Sequence, residues 1–266
     1  LVAQGVTHAF CVPGESYLDM LDGLYNQRNR IQLVTCRFEA GAVHMAEAYG
    51  KLTGEPGVAI VTRGPGACHA AIGVHVAFQD STPLVLIVGQ IPFEETDRES
   101  FQEVDYRRMF APLAKWVTQI DDAARIPELM AHAFDVARSG RPGPVVVAIS
   151  EEMQRATARV PDIAPAAILP PHPAPEAIER MMALLAAAER PGSAAAAGAP
   201  RARPRSAISS SPTTSPSRSA SAARACSMAR IRISSATSAS APMPGWWRRR
   251  RRRTCSWRSA PASARR

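Results

Sequence analysis

Short apolar runs rich in β-branched residues recur through the first 150 residues. They are THAFCV (7–12), IQLVTC (31–36), GVAIVT (57–62), PLVLIVG (83–89), AKWVTQI (114–120) and PVVVAI (144–149). Each is apolar nearly throughout rather than strictly alternating, which is the pattern of strands covered on both faces. Between the runs the period changes to that of a helix, near 16–27, 39–53, 66–78 and 123–139. In the last of these, Ile126, Leu129, Met130, Ala133, Phe134 and Ala137 fall on one face. Strand and helix in alternation predict an α/β domain over residues 1–152: an open parallel sheet of about six strands with helices on both faces.

The pattern then fades. Residues 153–174 include VPDIAPAAILPPHPA, whose prolines favour an extended linker. PEAIERMMALLAAAER (175–190) reads as a helix, with Pro175 in its first turn and Ile178, Met181, Met182 and Leu185 as an apolar stripe. It looks like the opening helix of a second, truncated domain. From Pro191 onward Arg, Ala, Ser, Pro and Gly dominate, with no Leu, Val, Phe, Lys or acidic residue. Such a composition cannot bury a core and predicts a disordered tail over 191–266.

Charge sharpens that boundary. The overall net charge of +9 describes neither half. Residues 1–190 carry all 23 acidic residues and 16 of the 32 basic ones, a net −7; residues 191–266 carry 16 Arg and no acid. One reading of the tail is a basic arm for nucleic acid, since WWRRRRRRTCSW offers arginines for phosphate and tryptophans for stacking. The other is a GC-rich gene translated out of frame, and the abrupt change partway into a new domain favours it. A chain opening on Leu1 rather than Met also reads as lacking its true N-terminus. The five cysteines are scattered and form no CxxC pair, which argues against a disulfide framework or zinc site and for a reducing, cytoplasmic setting. No apolar run is long enough to span a bilayer.

Two places in the α/β region carry candidate chemistry. Glu39 stands where the second apolar run gives way to a helix, in CRFEAGAVHMAEAYGK. A carboxylate there either complements the helix N-terminus, worth about 0.3–1 kcal/mol, or handles a proton in the crevice beyond the strand ends. Gly64-Pro65-Gly66 breaks GVAIVT into the next helix, as a tight turn or as an anion cradle. Neither GxGxxG nor GxxxxGK[ST] is present, which disfavours a phosphate loop or a nicotinamide-binding domain.

Taken together, GVTHAFCVPGES (5–16), RFEAGAVHMAEAYGKLTG (37–54), VTRGPGACHAAIGV (61–74), FQDSTPLVLIVGQIP (78–92) and FQEVDYRRMFAPLAKW (101–116) resemble, in order and spacing, the N-terminal pyrimidine-binding domain of thiamine-diphosphate-dependent enzymes, acetolactate-synthase-like. The resemblance implies that Glu39 hydrogen-bonds the aminopyrimidine N1′ of thiamine diphosphate, so that the ring's own 4′-nitrogen can remove the C2 proton. It places Pro13 and Gly14 in a loop beside the cofactor ring, and Gly64, Gly66 and His69 near the pyrimidine and a subunit contact. Gln90, Phe101 and Gln102 match positions facing the active-site cavity, although each is equally readable as a turn or packing residue. Phe38, Arg63 and His69 depart from the common pattern, where a His, a small residue and an Asn are frequent. His69 is read as a packed histidine at a domain interface or, alternatively, as a ligand contact.

The resemblance further implies a carboligase or decarboxylase of 2-oxo acids such as pyruvate, with acetolactate formation for branched-chain amino acids as the leading case. Its parent would be a homo-oligomer with the cofactor shared between subunits, holding Mg²⁺ and the diphosphate through a GDG…N motif on another domain and possessing a central domain able to take FAD. No GDG occurs in this chain, and the tail has neither Asp nor Asn. The expectation is therefore a fragment with no metal site of its own, inactive alone. The rival is a non-catalytic α/β interaction module with a nucleic-acid-binding tail, for which DNA affinity would fall steeply with salt.

Overall fold

The computed structural model describes residues 1–168 and 172–188. Six strands form one sheet: β1 (His8–Cys11), β2 (Gln32–Thr35), β3 (Gly57–Val61), β4 (Leu84–Gln90), β5 (Trp116–Ile120) and β6 (Pro144–Ser150). Every pairing is parallel, in the order β2-β1-β3-β4-β6-β5. Each expected apolar run holds one strand. The central strands β3, β4 and β6 are buried at every residue, as their uninterrupted apolar character requires, whereas edge strand β2 has no fully buried residue.

The helices are α1 (Leu18–Asn26), α2 (Glu39–Thr53), α3 (Pro65–Asp80), α4 (Tyr106–Phe110), α5 (Ile126–Arg138), α6 (Glu151–Arg155) and α7 (Pro175–Ala187). Successive strand residues feed two separate cores. Val58 and Ile60 meet Leu24 of α1 and Met130, Ala133 and Phe134 of α5. Ala59 and Val61 meet Ala42, Val43 and Ala46 of α2, Ala70 and Val74 of α3, and Phe110 of α4. Helices thus cover both faces, as expected of a doubly wound sheet. The α3 helix is closed by Ser81, a left-handed C-cap at φ 57°.

α2 sits unusually close to its neighbours because its inner face is built of small residues. A methyl on Gly57 would lie 1.8 Å from the Ala46 carbonyl oxygen, one on Gly73 2.5 Å from Val43, and one on Gly50 2.4 Å from the Pro83 carbonyl oxygen. Glycine is needed at all three points for backbone or side chain to approach.

Residues 151–155 form α6, so the first three residues of the linker expected over 153–174 are helical. Beyond it, the predicted helix is present as α7, and its stripe of Ile178, Met181, Met182 and Leu185 is exposed. No helix among the described residues is long and apolar enough to cross a membrane. The tail expected over 191–266 lies outside the described residues.

Candidate functional site

The sheet order creates the crevice. From β1 the chain crosses over one face to β2, whereas from β3 it crosses over the other face to β4, so the loops leaving β1 and β3 part from each other. In open α/β sheets such a reversal leaves a ligand-sized cleft beyond the carboxyl ends of the strands.

Across this reversal the two loops are cross-linked. Ser16 and Thr62 share a hydrogen bond of 2.9 Å, and the Arg63 amide donates to the Ser16 hydroxyl at 3.2 Å. Gly14 admits Thr62 alongside it: a methyl there would fall 2.4 Å from the Thr62 Cβ. The Tyr17 hydroxyl donates to the Val12 carbonyl, fixing the turn that presents Pro13; burial pushes this phenol far above its ordinary range.

Glu39 is the first residue of α2, where four backbone N–H groups lack helical partners and favour an anion. Its side chain is 13% exposed. Oε2 lies 3.0 Å from Nδ1 of His69, which is on the second turn of α3 and is 53% exposed. Oε1 points over Gly66, 3.5 Å from where a methyl would stand, and among the described residues nothing hydrogen-bonds it. Phe38, the residue before Glu39, lays its ring against the His69 imidazole, with centroids 5.0 Å apart. His69 is therefore not a packed histidine within this domain: it is a surface group whose polar contact is the site carboxylate.

Gly64 adopts φ 56°, ψ −111°, which only glycine takes without strain, and Pro65 then starts α3. This is the strand-to-helix turn expected of Gly64-Pro65-Gly66. The turn is braced from the 101–106 segment. The buried Gly64 N–H donates to the Tyr106 hydroxyl at 2.9 Å, and burial pushes that phenol up to about 12. Phenylalanine at position 106 is expected to strand this N–H and cost about 1–3 kcal/mol, read as a lowered urea midpoint with an unchanged slope.

Gln102 sits against Gly64 at φ 65°, and its buried Oε1 has no hydrogen-bond partner among the described residues. Phe101 is 75% exposed, its carbonyl receiving Arg63 Nε at 3.3 Å. Arg63 also reaches Glu151 at 3.0 Å and Glu15 at 3.5 Å, so one guanidinium ties the loops after β1, β3 and β6 to residue 101. Gln90 is only 5% exposed. Its amide donates to the Val104 carbonyl and accepts from the Ile91 amide, both at 3.0 Å. Its polar groups are engaged by local backbone.

Glu39, Gly66 and His69 thus converge, and Gly14 and Gly64 shape the adjoining turns; Gln90, Phe101 and Gln102 act from behind them. Ser16, Thr62, Arg63 and Tyr106 were not singled out as site residues by the sequence reading, although VTRGPG quotes two of them. Among the described residues no group of three or more His, Cys, Asp or Glu is arranged to hold a metal.

Comparison with known proteins adds the family. Residues 1–109 match the model described as thiamine pyrophosphate enzyme, N-terminal TPP binding domain. The chain carries an acetolactate-synthase-like N-terminal domain of the thiamine-pyrophosphate enzymes. It is 42% identical over 159 residues to the acetolactate synthase isozyme 2 large subunit of Escherichia coli (strain K12), covering 59% of this chain and 28% of that protein. It is 37% identical over 153 residues to the mitochondrial acetolactate synthase catalytic subunit of Aspergillus candidus, covering 58% and 22%. With the acetolactate synthase large subunit of Lactococcus lactis subsp. lactis (strain IL1403) the figures are 39% over 149 residues, 56% and 26%. The match to these curated relatives spans from 22% to 28% of their length.

The pyrimidine half of thiamine pyrophosphate suits the residues present. A sheltered carboxylate oxygen that nothing hydrogen-bonds among the described residues stands 3.5 Å from where a methyl on Gly66 would lie, in a spot that glycine alone permits because Thr62 Cγ2 is 2.8 Å from it.

Proposed function

We propose that residues 1–152 supply the pyrimidine-binding half of a thiamine-diphosphate site in a carboligase or decarboxylase acting on 2-oxo acids such as pyruvate, with acetolactate formation for branched-chain amino acids the leading case. The observation that carries this reading is Glu39, sheltered at an α2 N-terminus beside the strand reversal, with one oxygen tethered to His69 and the other free over Gly66. The family match supports it.

When bound, thiamine diphosphate supplies an acidic C2–H and an electron sink for making or breaking a C–C bond. Glu39 accepts or shares a proton at Oε1. The cross-linked turns at Gly14–Thr62 and Gly64–Gly66 keep the crevice narrow and limit the water that would compete for that oxygen. Arg63 and Tyr106 hold those turns to the 101–106 segment, which presents Phe101 to the surroundings.

Mg²⁺ requires hard oxygen ligands, which the diphosphate and a second domain would supply, that domain being contributed by another subunit of a cytoplasmic oligomer, and FAD belongs to the parent's central domain. On this reading the 266-residue chain alone turns over no pyruvate and binds thiamine diphosphate more weakly than micromolar. The test is to mix it with the isolated diphosphate-binding domain of an acetolactate synthase and follow exchange of the cofactor's C2 proton with deuterium. Exchange accelerated in the mixture, but not with either part alone, is the expected result. Micromolar calorimetric binding by the chain alone, or no acceleration in the mixture, overturns it.

A further inference from the structure

We infer that His69 is a positioning residue for Glu39: its Nδ1–H holds Oε2 and thereby dedicates Oε1 to the ligand. The inference rests on the pyrimidine-site reading given above.

A carboxylate has two equivalent oxygens and rotates about its last bond, so a lone Glu39 would offer a ring nitrogen either oxygen at varied angles. Here the equivalence is broken. Gly66 and His69 are three residues apart on α3 and so share a face, the one turned to the N-terminus of α2. From that face His69 takes Oε2 at 3.0 Å, while Gly66, whose Cβ would fall 2.8 Å from Thr62 Cγ2 and 3.5 Å from Oε1, puts no side chain beside Oε1. One helix thus supplies the tether for one oxygen and leaves the other uncovered from its own side.

An ionised carboxylate only accepts hydrogen bonds, so the contact requires the hydrogen on Nδ1, and neutral His69 then carries its lone pair on Nε2. The imidazole is held in turn: the Phe38 ring lies against it at 5.0 Å. Phe38 is the extended N-cap of α2, 53% exposed, and no side-chain capping bond engages it. Its contact with His69 is what the placement accomplishes.

Asparagine at position 69 would carry an amide N–H the same number of bonds from the backbone as Nδ1. It should therefore replace the tether without the ring. Alanine should not.

The test uses the whole chain and two readouts. First, long-range ¹H–¹⁵N correlation spectra at a pH where His69 is neutral report which ring nitrogen bears hydrogen. The Nδ1–H pattern is expected, reverting to the ordinary Nε2–H pattern in Glu39→Ala. An Nε2–H pattern in the unmodified chain overturns the tether.

Second, saturation-transfer NMR with millimolar thiamine diphosphate reports contact with the pyrimidine protons. His69→Ala should reduce that transfer about three- to fivefold, the scale of one net hydrogen bond. His69→Asn should restore it. All variants should keep the thermal midpoint of the parent, since His69 is exposed. Equal transfer in His69→Ala, or no recovery with His69→Asn, overturns the positioning role. No transfer in the unmodified chain, with the Nδ1–H pattern intact, overturns the cofactor reading instead, and the tether then stands without the ligand it was argued to serve.

Discussion

Glutamine in place of Glu39 is expected to slow exchange of the cofactor's C2 proton by about 10²- to 10⁴-fold, the usual range for loss of a positioned acid–base group. The measurement is the deuterium exchange rate by NMR in the chain supplemented with a diphosphate-binding domain. Glutamine preserves the shape of the side chain and can still receive the His69 hydrogen bond, so the turn and helix should survive. It cannot share a proton with a ring nitrogen, and it brings a neutral amide to a place where the α2 N-terminus favours an anion. A loss smaller than tenfold would mean that Glu39 serves the helix end alone.

Alanine in place of Gly57 should destabilise the domain by about 3 kcal/mol, at the upper end for overpacking a core. For a domain of this size that corresponds to a fall in Tm of roughly 6–12 °C. The added methyl would lie 1.8 Å from the Ala46 carbonyl oxygen and 3.0 Å from its Cα, both backbone atoms of α2. No rotamer change relieves such a clash; the helix must lift from β3 or the strand must bow. Lifting α2 also moves Glu39, so weaker binding of thiamine diphosphate should accompany the lower midpoint. A urea-denaturation loss under 1 kcal/mol would show that α2 has room to shift.

The fold was legible because burial on both faces leaves a plain mark: β3, β4 and β6 read as unbroken apolar runs, and all six runs match the six strands with ends differing by a residue or two. The order β2-β1-β3-β4-β6-β5 was not, since which strand pairs with which depends on crossovers between distant segments. α4 and α6, each five residues long, are too short to show a helical period. A local signal for α4 was available in the Asp105 side chain, which accepts from the Arg108 amide. α1 starts two residues after the predicted boundary because a 3₁₀ turn over Glu15–Tyr17 precedes it.

At the site, Glu39 and Gly64-Pro65-Gly66 stood out because a carboxylate at a strand-to-helix junction and a glycine-flanked proline are unusual in one dimension. The partners did not. His69 reaches Glu39 across 30 positions, Arg63 joins Glu151 across 88, and Tyr106 meets Gly64 across 42. Such contacts exist only after the sheet has brought loop ends together. Gln90 was open to two readings because a polar residue at a strand's carboxyl end can meet a ligand or brace a turn; here its amide bonds the Val104 carbonyl and the Ile91 N–H.

The glycines at the contacts of α2, one on the helix and two on its neighbours, also bear on how this protein can be re-engineered. Gly50, Gly57 and Gly73 anchor the helix to three separate pieces of backbone and side chain at once. The stretch from Glu39 to Val61 and onward through α3 therefore behaves as a single cassette. A graft of Glu39 and its helix onto a foreign sheet without all three glycines would displace the acid by more than its hydrogen bonds tolerate.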